Sequence, residues 1–284
     1  MNHEQTVIGA GLGFTEGPVL LRDGRVLVTS VDTGRLLWLD PTGGVLHERF
    51  VGSAPNGAAE GLDGTIAIAQ CGGTSPIGAR SSLGAEGGVQ VLAPDGQLRW
   101  LTTEPTSPND LCFGPDGKLY VTDPTRPLDR SDGRLWRCDP ATGTAELLAE
   151  LSWYPNGIGF GPADDSLIVA DTTGARLVKF GLDGTGLGPG ETIFQLDDGR
   201  PDGFAFDVDG NVLVGVVFFD PSRRGRIEVW SPDGVRIDRI EIDHGPMVTN
   251  IAIGEDGRIV ATAAGTGAVL ELRGRPGLPL HPFR

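Results

Sequence analysis

Six times along this chain an acid or amide is followed by a small residue, a run of alternating apolar positions and a tight turn. The clearest copy is Arg200-Pro201-Asp202-Gly203-Phe204-Ala205-Phe206-Asp207-Val208-Asp209-Gly210. The others run from Glu16-Gly17 to Asp23-Gly24, Asn56-Gly57 to Asp63-Gly64, Asn109-Asp110 to Asp116-Gly117, and Asn156-Gly157 to Asp164-Asp165. The last, Thr249-Asn250 to Asp256-Gly257, has Thr249 in register and Asn250 one residue late. Copies begin at 16, 56, 109, 156, 202 and 249, giving spacings of 40, 53, 47, 46 and 47 residues. A period of roughly 40 to 50 residues with several short strands in each unit is the sequence signature of a β-propeller. The fold class expected is therefore all-β: a six-bladed β-propeller with four-stranded antiparallel blades, one domain over residues 1–284. The repeat fills residues 14 to 272 with no linker between copies.

Within a blade, the alternating run after the acid or amide is the first strand. Asp-Gly then closes a hairpin, because glycine tolerates positive φ, and a second strand returns, as in Val212-Leu213-Val214-Gly215-Val216. Copy six has room for only three strands, and a lone apolar run at residues 6–12 precedes the first copy. Pairing that run with the last blade removes an open sheet edge. Loops after second strands share a face with the six acid or amide positions, and they are long: about Gln70 to Gly88, Asp123 to Gly133 and Phe218 to Gly225. Long loops gathered on one face of a rigid scaffold suit a binding site, and residues 70–88 could form a lid over it.

The 45 glycines fall at turns between apolar runs, which argues for many tight turns rather than disorder. A formal charge of −15 argues against a nucleic-acid partner, whose phosphates demand a basic face. Three cysteines with no CxxC pair describe neither a disulfide framework nor a zinc site, so reduced, buried thiols are expected. No basic, then apolar leader opens the chain, and no run of about 18 apolar residues could span a membrane. The expectation is a cytoplasmic protein, monomer or homodimer, whose partner is a small-molecule substrate rather than a nucleic acid or a membrane.

Equivalent positions in successive blades lie on a ring about one axis, so residues distant in sequence converge. The ring set is Glu16, Asn56, Asn109, Asn156, Asp202 and Thr249: two carboxylates, three amides and no base. Oxygen ligands from rigid strands, two of them anionic, suit one hard divalent cation, with Ca²⁺ favoured over Zn²⁺, Mn²⁺ or Mg²⁺. The competing reading is that these residues cap the turn into the first strand. That explains Asn56-Gly57 well and Glu16 poorly, because Glu is a poor turn former.

Phe14-Thr15-Glu16-Gly17-Pro18, Ser107-Pro108-Asn109-Asp110, Tyr154-Pro155-Asn156-Gly157 and Arg200-Pro201-Asp202-Gly203, in that order and at these spacings, resemble the regucalcin/gluconolactonase family of six-bladed propellers. The resemblance runs from Phe14 to about Leu272. It implies that Glu16, Asn156 and Asp202 ligate one divalent metal at the tunnel mouth, with Asn109 beside it as a ligand or a substrate-binding amide. It also places Asp123, in Thr122-Asp123-Pro124, near the substrate, and Asp171, in Val169-Ala170-Asp171, at a similar spot. One departure matters: sugar-lactone members carry an Arg two residues before the blade-three Asn, and this chain has Ser107. That argues against a sugar lactone. Phe218 and Phe219, on a face loop, and Trp153 and Tyr154, before Asn156, suggest a less polar substrate, although packing between blades would explain them equally well.

The activity expected is metal-dependent opening of a lactone, with the cation polarising the carbonyl. Asp123, if unligated and partly buried, is the better general base; Asp202 is the alternative, as base or as direct nucleophile. Other readings are a phosphotriesterase or fluorophosphatase, a non-catalytic Ca²⁺-binding scaffold, and a lyase or isomerase on the same propeller, since fold alone does not decide function.

Overall fold

The computed structural model describes residues 4–52, 54–72, 86–125, 132–182, 186–274 and 277. Six four-stranded antiparallel sheets are arranged in a ring as blades. Their inner strands are Thr15–Leu20, Pro55–Glu60, Leu111–Phe113, Pro155–Phe160, Arg200–Phe206 and Val248–Ile253, for blades one to six. Each inner strand packs against the next around the circle, and that of blade six packs against that of blade one, so the ring closes. The last blade is completed from the other end of the chain: Gln5–Gly9 pairs antiparallel with Ala268–Arg273, Gln5 opposite Leu272.

Local chemistry accounts for the blade. The hairpin glycine Gly210 has φ +80°, a conformation costly for other residues. Blade four has no glycine there, and Asp164 takes the left-handed turn position at φ +58°, one of the few side chains that tolerate it. Second strands, such as Val26–Ser30 and Leu119–Asp123, are buried along their whole length, because a neighbouring blade covers each face. Outer strands are largely exposed, as in Val45–Phe50, where all six residues face solvent.

The core is divided into layers between successive blades. Leu27, Leu36 and Trp38 of blade one pack on Ile66, Ile68 and Leu92 of blade two. Leu213, Ile227 and Val229 of blade five pack on Ile251, Ile259 and Leu270 of blade six. Emptying one such position to alanine costs about 2–5 kcal/mol.

Ring positions and second-strand ends lie on one face, since Thr15 pairs with Ser30, Pro155 with Asp171 and Arg200 with Val217. The far ends of the inner strands, including Val19, Ala58, Leu111, Phe160, Phe204 and Ile253, line a cavity of about 690 Å³. Of the face loops, residues 73–85 of the expected lid and residues 126–131 lie outside the described residues. Among the described residues, no helix is long and apolar enough to cross a membrane.

Candidate functional site

Each inner strand except that of blade three carries one extra residue where the ring set sits. Between Pro201 and Phe204 the partner strand advances only from Val216 to Val214. The same one-residue excess occurs after Glu16, around Asn56, around Asn156 and at Thr249. Bulges of this kind re-aim side chains and interrupt the ladder. In blade three the inner strand begins at Leu111, just after Asn109.

Interrupted ladders leave carbonyls to be satisfied, and hydroxyls from the neighbouring blade satisfy them. Thr29 donates to Asn56 O at 2.6 Å and Thr122 to Asn156 O at 2.7 Å. Thr172 donates to Pro201 O at 2.9 Å and Thr249 to Thr15 O at 3.0 Å. Between blades two and three a backbone bond does the same work: Gly57 N–H donates to Asn109 O at 2.8 Å. All four threonines are fully or almost fully buried. Thr249 therefore serves the ring as an inter-blade tie, not as an oxygen turned to the axis.

Glu16, Asn56, Asn109, Asn156 and Asp202 are all buried, none more than 7 % exposed. Asn156 Nδ2 donates to Thr172 Oγ1 at 3.1 Å, which leaves its oxygen as the atom available to a ligand. The Asn109 side chain makes no hydrogen bond among the described residues. Asn56 Nδ2 donates to Cys71 Sγ at 3.3 Å, while Asn56 Oδ1 is buried with no donor. An acceptor buried without a partner costs about 1–3 kcal/mol unless something fills it. Among the described residues no three His, Cys, Asp or Glu side chains gather closely enough to hold a metal. The donor set is instead two carboxylates supplemented by amide oxygens, which fits a hard cation such as Ca²⁺ and not a thiolate or imidazole zinc site.

One residue further along each inner strand lies a second layer: Gly17, Gly57, Asp110, Gly157, Gly203 and Asn250. Asn250 Nδ2 donates to Asp110 Oδ2 at 3.3 Å, joining blades three and six from opposite sides of the ring. Burial pushes the Asp110 carboxyl up to about 6, against the opposing pull of hydrogen bonds from Leu111, Asn250 and Ile158. The late amide of copy six is thereby explained, because Asn250 is the counterpart of Asp110 rather than of Asn109.

Asp123 is fully buried, in contrast to the partly buried base expected from the sequence. Its carboxylate accepts the backbone N–H groups of Ser107 at 2.9 Å and Thr106 at 3.0 Å, and Trp136 Nε1–H at 3.3 Å. Arg134 stands 3.9 Å away. With both oxygens engaged by fixed donors, Asp123 anchors the segment that carries Ser107 and Asn109. The Ser107 hydroxyl donates to Cys71 O at 3.0 Å and ties that segment to blade two.

Asp171 is likewise committed locally. It accepts Gly174 N–H at 2.7 Å and Thr173 Oγ1–H at 3.0 Å, and pairs with Arg176 at 2.9 Å, all within its own turn. Phe218 is packed between blades four and five, on Leu177, Phe194 and Leu196, beneath the Arg223 and Arg226 guanidiniums. Phe219 is 61 % exposed. Both line a cavity of about 430 Å³ with Asp198, Arg200 and Arg223, and no ring residue lines it. Trp153 stacks on Phe180, 6.4 Å between centroids, within the layer between blades three and four. Phe218 and Trp153 therefore pack in inter-blade layers rather than around the axis, and Phe219 is exposed.

Two features went unread in the sequence. Two of the four tying threonines carried a signal, since Thr29 and Thr122 both stand next to last in the second strand. The cross-tunnel pair carried a weaker one, in Asp110 and Asn250 standing where the other copies have glycine.

Comparison with known proteins places this architecture. Residues 14–264 match the family described as the SMP-30/Gluconolactonase/LRE-like region. A gluconolactonase of Zymomonas mobilis is 27% identical over 93% of this chain and 79% of its own length. A solved gluconolactonase from Xanthomonas campestris superposes with a TM-score of 0.76 at 20% identity, over 95% of this chain and 89% of that one. The calcium-binding protein regucalcin from Agrobacterium tumefaciens superposes with a TM-score of 0.77 at 20% identity, over 99% of both chains.

Proposed function

The chain belongs to the SMP-30/Gluconolactonase/LRE-like family, and we propose that it is a hydrolase that opens a small lactone at the mouth of its central tunnel. The observation that carries the reading is the ring itself. Two buried carboxylates, Glu16 and Asp202, and the amide of Asn156 stand at equivalent bulged positions on separate blades, and the buried amide of Asn109 stands just before the inner strand of blade three. A scaffold needs no such convergence of acidic oxygen at a tunnel mouth. The gluconolactonase relatives support the reaction class, and the calcium-binding relative supports the ion.

Glu16, Asn109, Asn156 and Asp202 would hold a divalent ion, Ca²⁺ by their chemistry, which when bound supplies positive charge for a polarised carbonyl oxygen. The protein's own groups do the rest. Asn156 is oriented by Thr172, and Asn109 is carried on the segment pinned by Asp123. With Asp123 occupied by amides, Asp202 is the carboxylate assigned to take the proton of the attacking water. Asn56 Oδ1 is the acceptor assigned to a substrate hydroxyl or a bound water. Ser107, neutral and bonded to Cys71 O, offers no cation to a polyhydroxylated or acidic substrate, which favours a less polar lactone.

The test compares divalent metal content in the native protein and in Asp202→Ala, followed by a lactone panel with and without chelator. About one ion per native chain, its loss in the variant and chelator-sensitive ring opening are expected. A native protein that takes up no ion from added Ca²⁺ and opens no lactone would overturn the reading.

A further inference from the structure

The proposed reaction makes no use of the Asp110–Asn250 bond, yet its construction is specific. Each side chain uses one oxygen to accept the N–H of its own following residue: Leu111 N–H to Asp110 Oδ1 at 2.9 Å, Ile251 N–H to Asn250 Oδ1 at 2.8 Å. The remaining carboxylate oxygen and the amide nitrogen then meet across the tunnel. The other four blades have glycine in this layer, and all four are obligatory for space: a Cβ on Gly17 or Gly157 would lie 2.5 Å from a neighbouring blade's backbone oxygen. A Cβ on Gly57 would lie 2.2 Å from Asp110 Oδ1, and one on Gly203 would lie 2.0 Å from Asn250 Oδ1. Both linked side chains are 8 % exposed.

Chain order fixes the depth of this pair. Asn109 belongs to the mouth, Asp110 follows it, and Leu111 to Phe113 line the far cavity. The pair is thus the floor of the mouth and the roof of the cavity below. We propose that Asp110 and Asn250 are positioning residues that brace opposite walls of the tunnel and hold Asn109 at its place in the mouth. The activity arm of the test rests on the lactonase reading; the thermal arm does not.

The mirrored geometry gives a reciprocal test. In Asn250→Asp two carboxylates face each other, and in Asp110→Asn an amide must face a backbone N–H or its partner's amide. In the double variant Asp110→Asn/Asn250→Asp, the new amide at 110 donates, the new carboxylate at 250 accepts, and the backbone bonds from Leu111 and Ile251 survive, while any loss of the Ile158 bond to the 110 carboxyl is shared with Asp110→Asn alone. With chelator present, each single variant is expected to melt several degrees below the native protein, and the double variant to recover more than half of the worse loss. Asn250→Ala, which changes no charge and lies outside the ring set, is expected to weaken Ca²⁺ binding by calorimetry about tenfold. It should lower kcat/KM on the lactone the native protein opens by a similar factor. A double variant no more stable than the worse single, or native Ca²⁺ affinity and kcat/KM in Asn250→Ala, would overturn the brace. A native protein that binds neither Ca²⁺ nor lactone ends the proposed function and the positioning role with it. The thermal comparison would then support or overturn the bond alone.

Discussion

Arg226 Nε meets Glu228 Oε1 at 2.7 Å with both side chains fully buried, two positions apart on one strand of blade five. Trp230 Nε1–H also donates to Glu228, at 3.1 Å, and Arg226 reaches out to Asp198. The pair joins the body of blade five to its face loop, where the Arg226 guanidinium stacks over the Phe218 ring.

Removing Glu228 leaves the buried Arg226 guanidinium only its pairing with the half-exposed Asp198 among the described residues. Glu228→Ala is expected to destabilise the protein by about 3 kcal/mol, because a buried charge that loses its buried counter-charge is worse than none. The double replacement Arg226→Met/Glu228→Met should cost clearly less than that single variant. Chemical denaturation of the three proteins checks the order.

Asp110 predicts a pH dependence with a definite sign. Its carboxyl titrates near 6 when folded and near 3.8 when unfolded, burial being the main cause. Between those values the native state holds a proton that the unfolded chain has released, so stability falls as pH rises through this window. The loss reaches about 3 kcal/mol above it, at 1.36 kcal/mol per unit. In chelator-treated protein, urea midpoints from pH 4 to 7 should decline less steeply in Asp110→Asn than in the native chain, whatever the variant's absolute stability. Parallel curves would reject this assignment.

Thiol reactivity should follow burial. Burial pushes the Cys138 thiol up to about 12, and Cys71 is fully buried beside Asn56. Cys112 is half-buried on the lining of the far cavity. Because only the thiolate is nucleophilic, native protein treated with iodoacetamide near pH 8 is expected to be alkylated at Cys112 first. Cys71 and Cys138 should follow only on unfolding, as read by peptide mass spectrometry.

The propeller was legible because repetition multiplies a weak signal. Asp209-Gly210 alone marks a turn; six such turns, each seven or eight residues past an acid, amide or threonine, mark a ring. The positions of Glu16, Asn56, Asn109, Asn156 and Asp202 followed from the same register. The roles of Asp123 and Phe218 did not. Both lie at second-strand ends on the site face, but whether such a residue turns to the axis or into a blade depends on its neighbours. Backbone amides at Thr106 and Ser107 claim the first, and Phe194 with Leu196 claims the second. The register slip at Asn250 was visible as an irregularity, and it acquired meaning only when Asp110 was found facing it.

The seam in blade six has a consequence for how this molecule is made. Its fourth strand, Gln5–Gly9, emerges early in synthesis, while its partner, Ala268–Arg273, emerges more than 250 residues later. Until then the first segment has no ladder to join, and blades one to five can only form an open arc. Circularisation is therefore a late event with the longest loop in the chain to close, and contacts so distant in sequence slow folding. The arc released before that moment carries two unsatisfied flanks, which are the surfaces a chaperone, or another unfinished copy, would meet first.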